Sequence, residues 1–491
     1  MSNMTMINTR LGRVQGFRQG NANMFLGVRY GEPPVGPRRF LPATMTDGWS
    51  GTHDATQYGD RAMQNPGTLI DRQQVADQMS EDCLNLNIAA PAIAQTSPPT
   101  NTYRPVLLWI HGGGFIGGSA NEYDASVLAQ QGNMVIVTVN YRLGTLGLLD
   151  LSAHGTQYQG SSSNTVRDLV LALQWIQDNI HDYGGCSDNV TIAGESSGAT
   201  LVLTLLATPS ADGLYHKAIA NSPTCAYMRA TDPTPKWAAK LNIERSAFAD
   251  TLLAMSAQEI IDLGWRYRVE VDGTVVTRTT YEAITDRGAN GVPLLIGSNL
   301  NEGTLYTQGR DDPQEHYPHL NASLVQEMLC GGDPTHYLKR FKETYPQATP
   351  GKIHEMIWTD MFRRTATTAA ALASQAGVGG WLYRFDLPAN LPGFERYGAT
   401  HSCEIPFTFN TFDNPSTQAH TFHDRNSPSV RDIALKWSTL VINFCSHGVP
   451  RADGVPDWPR YESDGRRCLV VGDHFEVVSD PDRLHRSMWN G

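Results

Sequence analysis

Short runs of aliphatic and β-branched residues recur along the chain, separated by polar and glycine-containing stretches. Val106-Leu107-Leu108-Trp109-Ile110, Met134 to Val139, Val190-Thr191-Ile192-Ala193, Lys217 to Ala220, Val292 to Ile296, Trp381 to Phe385 and Leu469 to Val471 read as strands. Arg13-Val14-Gln15-Gly16-Phe17 adds a strand near the start. Between them, Asp168 to Ile180 sets Leu169, Ala172, Leu173 and Ile176 at helical spacing, and Ala199 to Ala207 is an apolar, helix-like stretch. This alternation predicts an α/β fold whose central sheet is mixed but mostly parallel, with helices on both faces. Residues from about 225 to 290 and from 303 to 375 carry fewer apolar strands and more helical periodicity. They are expected to be insertions that form a wall and lid. The chain shows no repeats, low-complexity tracts or obvious linkers.

One strand-to-helix junction carries chemistry. Gly194-Glu195-Ser196-Ser197-Gly198 follows the run 190–193 and opens the stretch 199–207. Strand, G-x-S-x-G, helix is the order of a nucleophile elbow, in which a strained turn lifts the serine hydroxyl above the sheet. With 45 glycines in 491 residues the pattern is weak alone. Its partners strengthen it. The run 106–110 ends in His111-Gly112-Gly113-Gly114-Phe115, an HGGG-type loop that supplies backbone N–H groups to an oxyanion hole. The run 292–296 leads into Gly297-Ser298-Asn299-Leu300-Asn301-Glu302-Gly303, and Gly398-Ala399-Thr400-His401-Ser402-Cys403-Glu404 follows further on. Serine, acid, histidine is the chain order of α/β-hydrolase triads.

Motifs over nearly the whole chain resemble the type-B carboxylesterases, the group of para-nitrobenzyl esterases and cholinesterases. They begin with Phe25-Leu26-Gly27-Val28-Arg29-Tyr30-Gly31-Glu32-Pro33-Pro34-Val35-Gly36 and continue through Arg39-Phe40 and Trp49-Ser50-Gly51. Ser80-Glu81-Asp82-Cys83-Leu84-Asn85-Leu86-Asn87, Asn140-Tyr141-Arg142-Leu143-Gly144 and Trp458-Pro459-Arg460-Tyr461 complete the set.

The resemblance implies an α/β-hydrolase fold, with helical insertions around a gorge, and hydrolysis of carboxylic esters without cofactor or metal. Ser196 is the expected nucleophile, His401 its general base and Glu302 the acid that orients the imidazole, with Asp272 and Glu404 as rivals for that third role. The oxyanion donors are assigned by resemblance to the N–H groups of Gly113, Gly114 and Ser197. Position 197 is usually alanine in the family, but only its N–H is required. Cys225, Tyr227 and Met228, after Asn221-Ser222-Pro223, are candidate acyl-pocket residues. Phe115 and Glu195 are further candidates at the substrate. Arg39 with Glu81, and Arg142 with Asp168, resemble the family's buried ion pairs and are read as structural.

Because these residues run from 111 to 401, the chain is expected to form one catalytic domain over 1–491. A net charge of −11 and a pI near 5.7, without clustered Lys or Arg, leave no basic face for nucleic acid or anionic lipid. The N-terminus has no uninterrupted apolar core, and no run approaches 18 apolar residues, so a cytoplasmic protein without membrane anchor is expected. The seven cysteines are dispersed, without zinc spacing. Secreted family members bridge the cysteine matching Cys83 to one a little upstream, where this chain carries Met63. Its loss fits a reducing compartment. Gly112-x-Gly114-x-x-Gly117 also satisfies a dinucleotide fingerprint, but Gly118-Ser119-Ala120 is a poor helix start and the next strand ends in Asn140-Tyr141-Arg142, not an acid.

Pro66 to Ser80 contains no aromatic residue, which argues against the tryptophan-held quaternary ammonium of choline esters. A more open gorge that takes aryl or bulky alcohol esters is expected. The partner is thus a small-molecule ester, and the chain a monomer or homo-oligomer. Two other classes share these features: an amidase or peptidase using the same triad, and a non-catalytic binding protein of esterase-like fold. The retained serine, acid and histidine argue against the second.

Overall fold

The computed structural model describes residues 4–65, 78–92, 103–226, 228–264, 268–287, 291–308, 325, 333–412 and 421–489. The chain divides into two compact units, Met1–Lys217 with Met228–Thr280, and Ala218–Tyr227 with Tyr281–Gly491.

In the first unit, β1 (Met4–Thr9), β2 (Gly12–Gln19) and β3 (Ala22–Arg29) form an antiparallel meander, with β4 (Thr52–Asp54) beside β2. β5 (Arg61–Ala62) and β6 (Met79–Ser80) pair as a separate ribbon. β3 pairs with β7 (Asn85–Pro91), followed in space by β9 (Val135–Val139), β8 (Arg104–Ile110) and β10 (Gly185–Glu195). β9, β8 and β10 run parallel. The aliphatic runs read from the sequence are these strands, and Val106–Ile110 and Val135–Val139 are buried throughout, as parallel strands covered on both faces are. The helix α1 (Asn164–Asn179) buries Leu169, Ala172, Leu173 and Ile176, the positions of the predicted stripe.

Two ion pairs expected from the resemblance lock this unit. Arg142 grips Asp168 through Nε at 2.8 Å and an Nη at 2.7 Å, and its remaining Nη donates to the Leu41 carbonyl. Both side chains are buried, so pairing offsets a desolvation that neither could bear alone. Arg39 holds Glu81 at 2.6 Å through two nitrogens. Its third nitrogen donates to the carbonyls of Leu252, Leu253 and Met255, the end of a helix over Phe248–Ala254. A cation there satisfies terminal carbonyls and the helix dipole together. Phe248, Ala249, Leu252, Ala238 and Ile260 pack with Phe40, Leu146, Leu149, Leu151 and Tyr158 in one core cluster. The helices over Thr234–Leu241, Phe248–Ala254 and Ala257–Asp262 thus pack into this core.

In the second unit, β11 (Lys217–Asn221), β12 (Leu294–Asn299), β13 (Gly380–Phe385) and β14 (Arg467–Val471) are parallel neighbours in that order, and β15 (Phe475–Ser479) closes antiparallel on β14. The long helix α2 (Pro350–Gln375) packs on β12 and β13. Its N-cap is Thr349, whose side chain accepts from the N–H of Lys352, and Pro350 fills its first position. Among the described residues no helix is long and apolar enough to cross a membrane.

Candidate active site

The candidate nucleophile lies where β10 ends. β10 and β8 are parallel with Gly194 opposite Ile110, so the loops that leave them emerge at one edge. Ser196 has φ 58° and ψ −125°, immediately before the helix α3 (Ser197–Leu205). A side chain held at such a φ costs about 1–3 kcal/mol, and it persists because the surroundings enforce it. Gly198 shows how. A Cβ there would lie 2.1 Å from the Ile110 carbonyl oxygen, so only glycine lets α3 start this close to β8. The Ser196 carbonyl already accepts the helix's first hydrogen bond, from the N–H of Thr200 at 2.9 Å.

The loop after β8 is held from several sides. It passes through positive φ at Gly113, Gly114 and Phe115. The Gly113 carbonyl accepts from the N–H groups of Ile116 and Gly117, and the Phe115 carbonyl from Gly144. Buried Gln64 clamps Gly118, donating to its carbonyl and accepting from its N–H, both at 2.9 Å. The His111 ring stacks on Tyr141 with centroids 4.3 Å apart, and the Tyr141 hydroxyl donates to the His111 carbonyl at 2.6 Å. Such a loop cannot reorganise cheaply, which is what preorganised donors require. Ser197, first in α3, has an N–H without an intrahelical acceptor.

The second unit brings Glu302 and His401, the candidate acid and base, together. Oε2 of Glu302 lies 2.5 Å from Nδ1 of His401. Oε1 accepts from the Ser222 hydroxyl at 2.5 Å and from the Asn299 N–H at 2.6 Å. Glu302 is fully buried and His401 is 3% exposed. Two donors hold Oε1 while Oε2 faces Nδ1, and an ionised carboxylate there favours the tautomer with its proton on Nδ1. Their loops are laced as well. The Asn301 N–H donates to the Ala399 carbonyl, the Ala399 N–H to the Asn301 side chain, and the Thr304 hydroxyl to the Asn301 and Tyr397 carbonyls.

The two rival carboxylates are engaged elsewhere. Asp272 accepts the N–H groups of Thr274, Val275 and Val276 at one oxygen, the signature of a turn cap. Glu404 accepts from the Asn299 side chain at 2.7 Å, and that same amide donates to the Thr400 carbonyl. Glu404 thus braces the histidine loop. Of the substrate-pocket candidates, Glu195, Phe115 and Cys225 are buried, whereas Met228 is 38% exposed. Tyr227 lies outside the described residues. Ser222, Asn299, Gln64, Phe362 and Tyr306 carry the geometry without having been singled out as site residues. Ser222 lies in Asn221-Ser222-Pro223, a stretch whose sequence marks no bond to an acid. No short motif marks the others. Among the described residues, no cluster of His, Cys, Asp and Glu is arranged to hold a metal ion.

Comparison with known proteins decides the affiliation. A family model described as carboxylesterase family matches residues 3–488. The chain belongs to the carboxylesterase family. This carboxylesterase-family chain is 31% identical to the para-nitrobenzyl esterase of Bacillus subtilis (strain 168), over 98% of this chain and 97% of that one. A solved structure of a thermophilic PNB esterase superposes with TM-score 0.86 at 28% identity, covering 99% of each chain. A carboxylesterase of Geobacillus stearothermophilus gives TM-score 0.83 at 30% identity, covering 99% of this chain and 100% of that one. The fold is accordingly the α/β-hydrolase class expected from the sequence, and this carboxylesterase-family chain is a carboxylic ester hydrolase.

Proposed function

We propose that the chain hydrolyses carboxylic esters through an acyl-enzyme on Ser196. His401 takes the hydroxyl proton at Nε2 as Oγ attacks the ester carbonyl carbon. Charge builds on the carbonyl oxygen, where the N–H groups of Gly113, Gly114 and Ser197 receive it; loss of one such donor typically costs about 3–4 kcal/mol of transition-state stabilisation. The imidazolium then protonates the departing alcohol as the C–O bond breaks. A water, deprotonated by the same imidazole, attacks the acyl-enzyme and releases the acid. Glu302 keeps the proton on Nδ1 and stabilises the imidazolium.

The observation that carries this reading is the buried Glu302 carboxylate 2.5 Å from Nδ1 of His401. The positive φ of Ser196, at a strand-to-helix turn, supports its assignment as nucleophile. We take the substrates to be esters of aryl or bulky alcohols, in line with the name of the Bacillus subtilis relative. The insertions over about 225–290 and 303–375 would wall the binding site. The cytoplasmic setting rests on Met63, which stands where secreted relatives carry the cysteine that bridges the one matching Cys83.

The test is hydrolysis of para-nitrophenyl acetate, butyrate and octanoate, with chromogenic anilides beside them, by the wild type and Ser196→Ala. The reading expects ester turnover that falls at least about a thousandfold in the variant. A folded wild type inactive on every ester would overturn it, and faster anilide cleavage would make it an amidase.

A further inference from the structure

The acid and base loops lean on one face of one helix. On α2, Thr359, Phe362 and Arg363 follow at i, i+3 and i+4 and so share a side. Thr359 and Arg363 bond the backbone on either side of Glu302, and Phe362 meets the His401 ring. The Thr359 hydroxyl oxygen accepts the N–H of Gly303, next to Glu302, at 3.0 Å. Arg363 donates to the Leu300 carbonyl at 2.8 Å and is itself fixed by Asp482 at 3.2 Å. The Phe362 ring lies 4.5 Å from the His401 imidazole, with the planes 24° apart. Tyr306 stands 5.7 Å from the imidazole and 6.4 Å from Phe362, and Trp358, also on α2, stacks on it at 4.0 Å.

A hydrogen bond at Nδ1 fixes one point of the imidazole ring. It does not by itself fix the ring's tilt. The far nitrogen, Nε2, has to meet the serine hydroxyl, and a tilt of about 20° would carry it roughly 0.7 Å, beyond the tolerance of about 0.5 Å that catalytic geometry allows. The face of Phe362 is the surface that opposes such a tilt. It is fully buried and belongs to a helix bonded to the acid loop on either side of Glu302.

We propose that Phe362 is a positioning residue for His401: its ring sets the imidazole plane, and α2 thereby keeps the acid and base loops and the tilt of the base in one register. The inference rests on the triad reading above, because it gives Nε2 a serine to meet. It adds a residue that touches neither substrate nor reacting atoms and acts through His401.

Three variants of the whole chain test it, with folding followed by thermal unfolding: Phe362→Met, which keeps apolar volume without a ring; Phe362→Tyr, which keeps the ring; and His401→Ala. On para-nitrophenyl butyrate, Phe362→Met should lower kcat about tenfold with KM within about twofold, and Phe362→Tyr should restore kcat to within about twofold of wild type. A low-field proton resonance from the Nδ1–H, identified by its loss in His401→Ala, should broaden in Phe362→Met and sharpen again in Phe362→Tyr. If Phe362→Met does not fold, Phe362→Leu is read against the same expectations. Unchanged kcat and resonance in the ring-less variant overturn the proposal, as does a Phe362→Tyr enzyme no better than Phe362→Met. An active His401→Ala would instead overturn the triad reading.

Discussion

The hydroxyl of Ser222 donates to Oε1 of Glu302 at 2.5 Å, while the other carboxylate oxygen faces His401. Ser222 follows β11 with φ 52°, and its own N–H is bonded to the Gly297 carbonyl on β12. Hydrogen bonds to charged groups contribute about 1.5–3 kcal/mol. Ser222→Ala should therefore lose stability in that range, with kcat falling and KM nearly constant, as urea unfolding and steady-state kinetics would read. Wild-type values in both would mean that the Asn299 N–H alone suffices to hold Glu302.

Gly303 is fixed by a neighbour rather than by a turn. A Cβ at this position would lie 1.9 Å from the Glu355 carbonyl oxygen on α2. Gly303→Ala must push the acid loop or the helix aside, and overpacking of this kind costs about 1–3 kcal/mol. A lower urea midpoint together with reduced kcat is expected. A variant as stable and active as wild type would show that the loop and α2 can separate freely.

The buried Arg142–Asp168 pair and the exposed Lys436–Asp432 pair should respond very differently to loss of the acid. Asp168→Ala strands a buried guanidinium and should cost about 3–5 kcal/mol. Asp432→Ala breaks an i,i+4 pair on a helix surface and should cost about 0.3–0.5 kcal/mol. Urea unfolding of the two variants in parallel reads the contrast, and equal losses would contradict the burial argument.

Acid should weaken the fold partly through one histidine. Burial pushes the pKa of His423 down to about 4, against hydrogen bonds to backbone carbonyls that act the other way. The unfolded chain protonates this ring near pH 6.5, the folded chain only near 4. Stability tied to the neutral ring is complete above pH 6.5 and is lost as pH falls toward 4. Glu270, raised to about 7 by burial, acts in the opposite sense, favouring the fold below the unfolded carboxyl pKa and losing that contribution as pH rises toward 7. The comparison must therefore isolate His423. His423→Gln should lose less stability than wild type between pH 7 and 4.5. Parallel losses would place the acid sensitivity elsewhere.

Much of this was legible in the sequence because it is local. The runs at 106–110, 134–139, 190–193 and 292–296 are short, mostly aliphatic and β-branched, and G-x-S-x-G and HGGG are short patterns whose neighbours foretell strand or helix. What stayed hidden depends on distant pairings. Nothing beside Ser222 signals a bond to Glu302, since a non-glycine residue at positive φ leaves no local pattern. Phe362 sits in a 26-residue helix where an aromatic at that spacing reads as ordinary core. The motif resemblance pairs Arg39 with Glu81, but its grip on the carbonyls of Leu252, Leu253 and Met255 joins residues more than two hundred positions apart. The first strand, Met4–Thr9, carries no aliphatic run, only an alternation built largely from methionine and threonine.

The most direct test of the acyl-enzyme account is covalent capture. Wild type, Ser196→Ala and His401→Ala would each be incubated with diethyl para-nitrophenyl phosphate, an ester analogue that phosphorylates an activated serine and is then displaced only slowly. Peptide mass spectrometry would locate the adduct. The account predicts one diethylphosphoryl group per chain on the peptide containing Gly194–Gly198, loss of esterase activity in step with labelling, no adduct on that peptide in Ser196→Ala and strongly slowed labelling in His401→Ala. Complete inactivation with the label on another residue, or full labelling of Ser196 with activity intact, would contradict it.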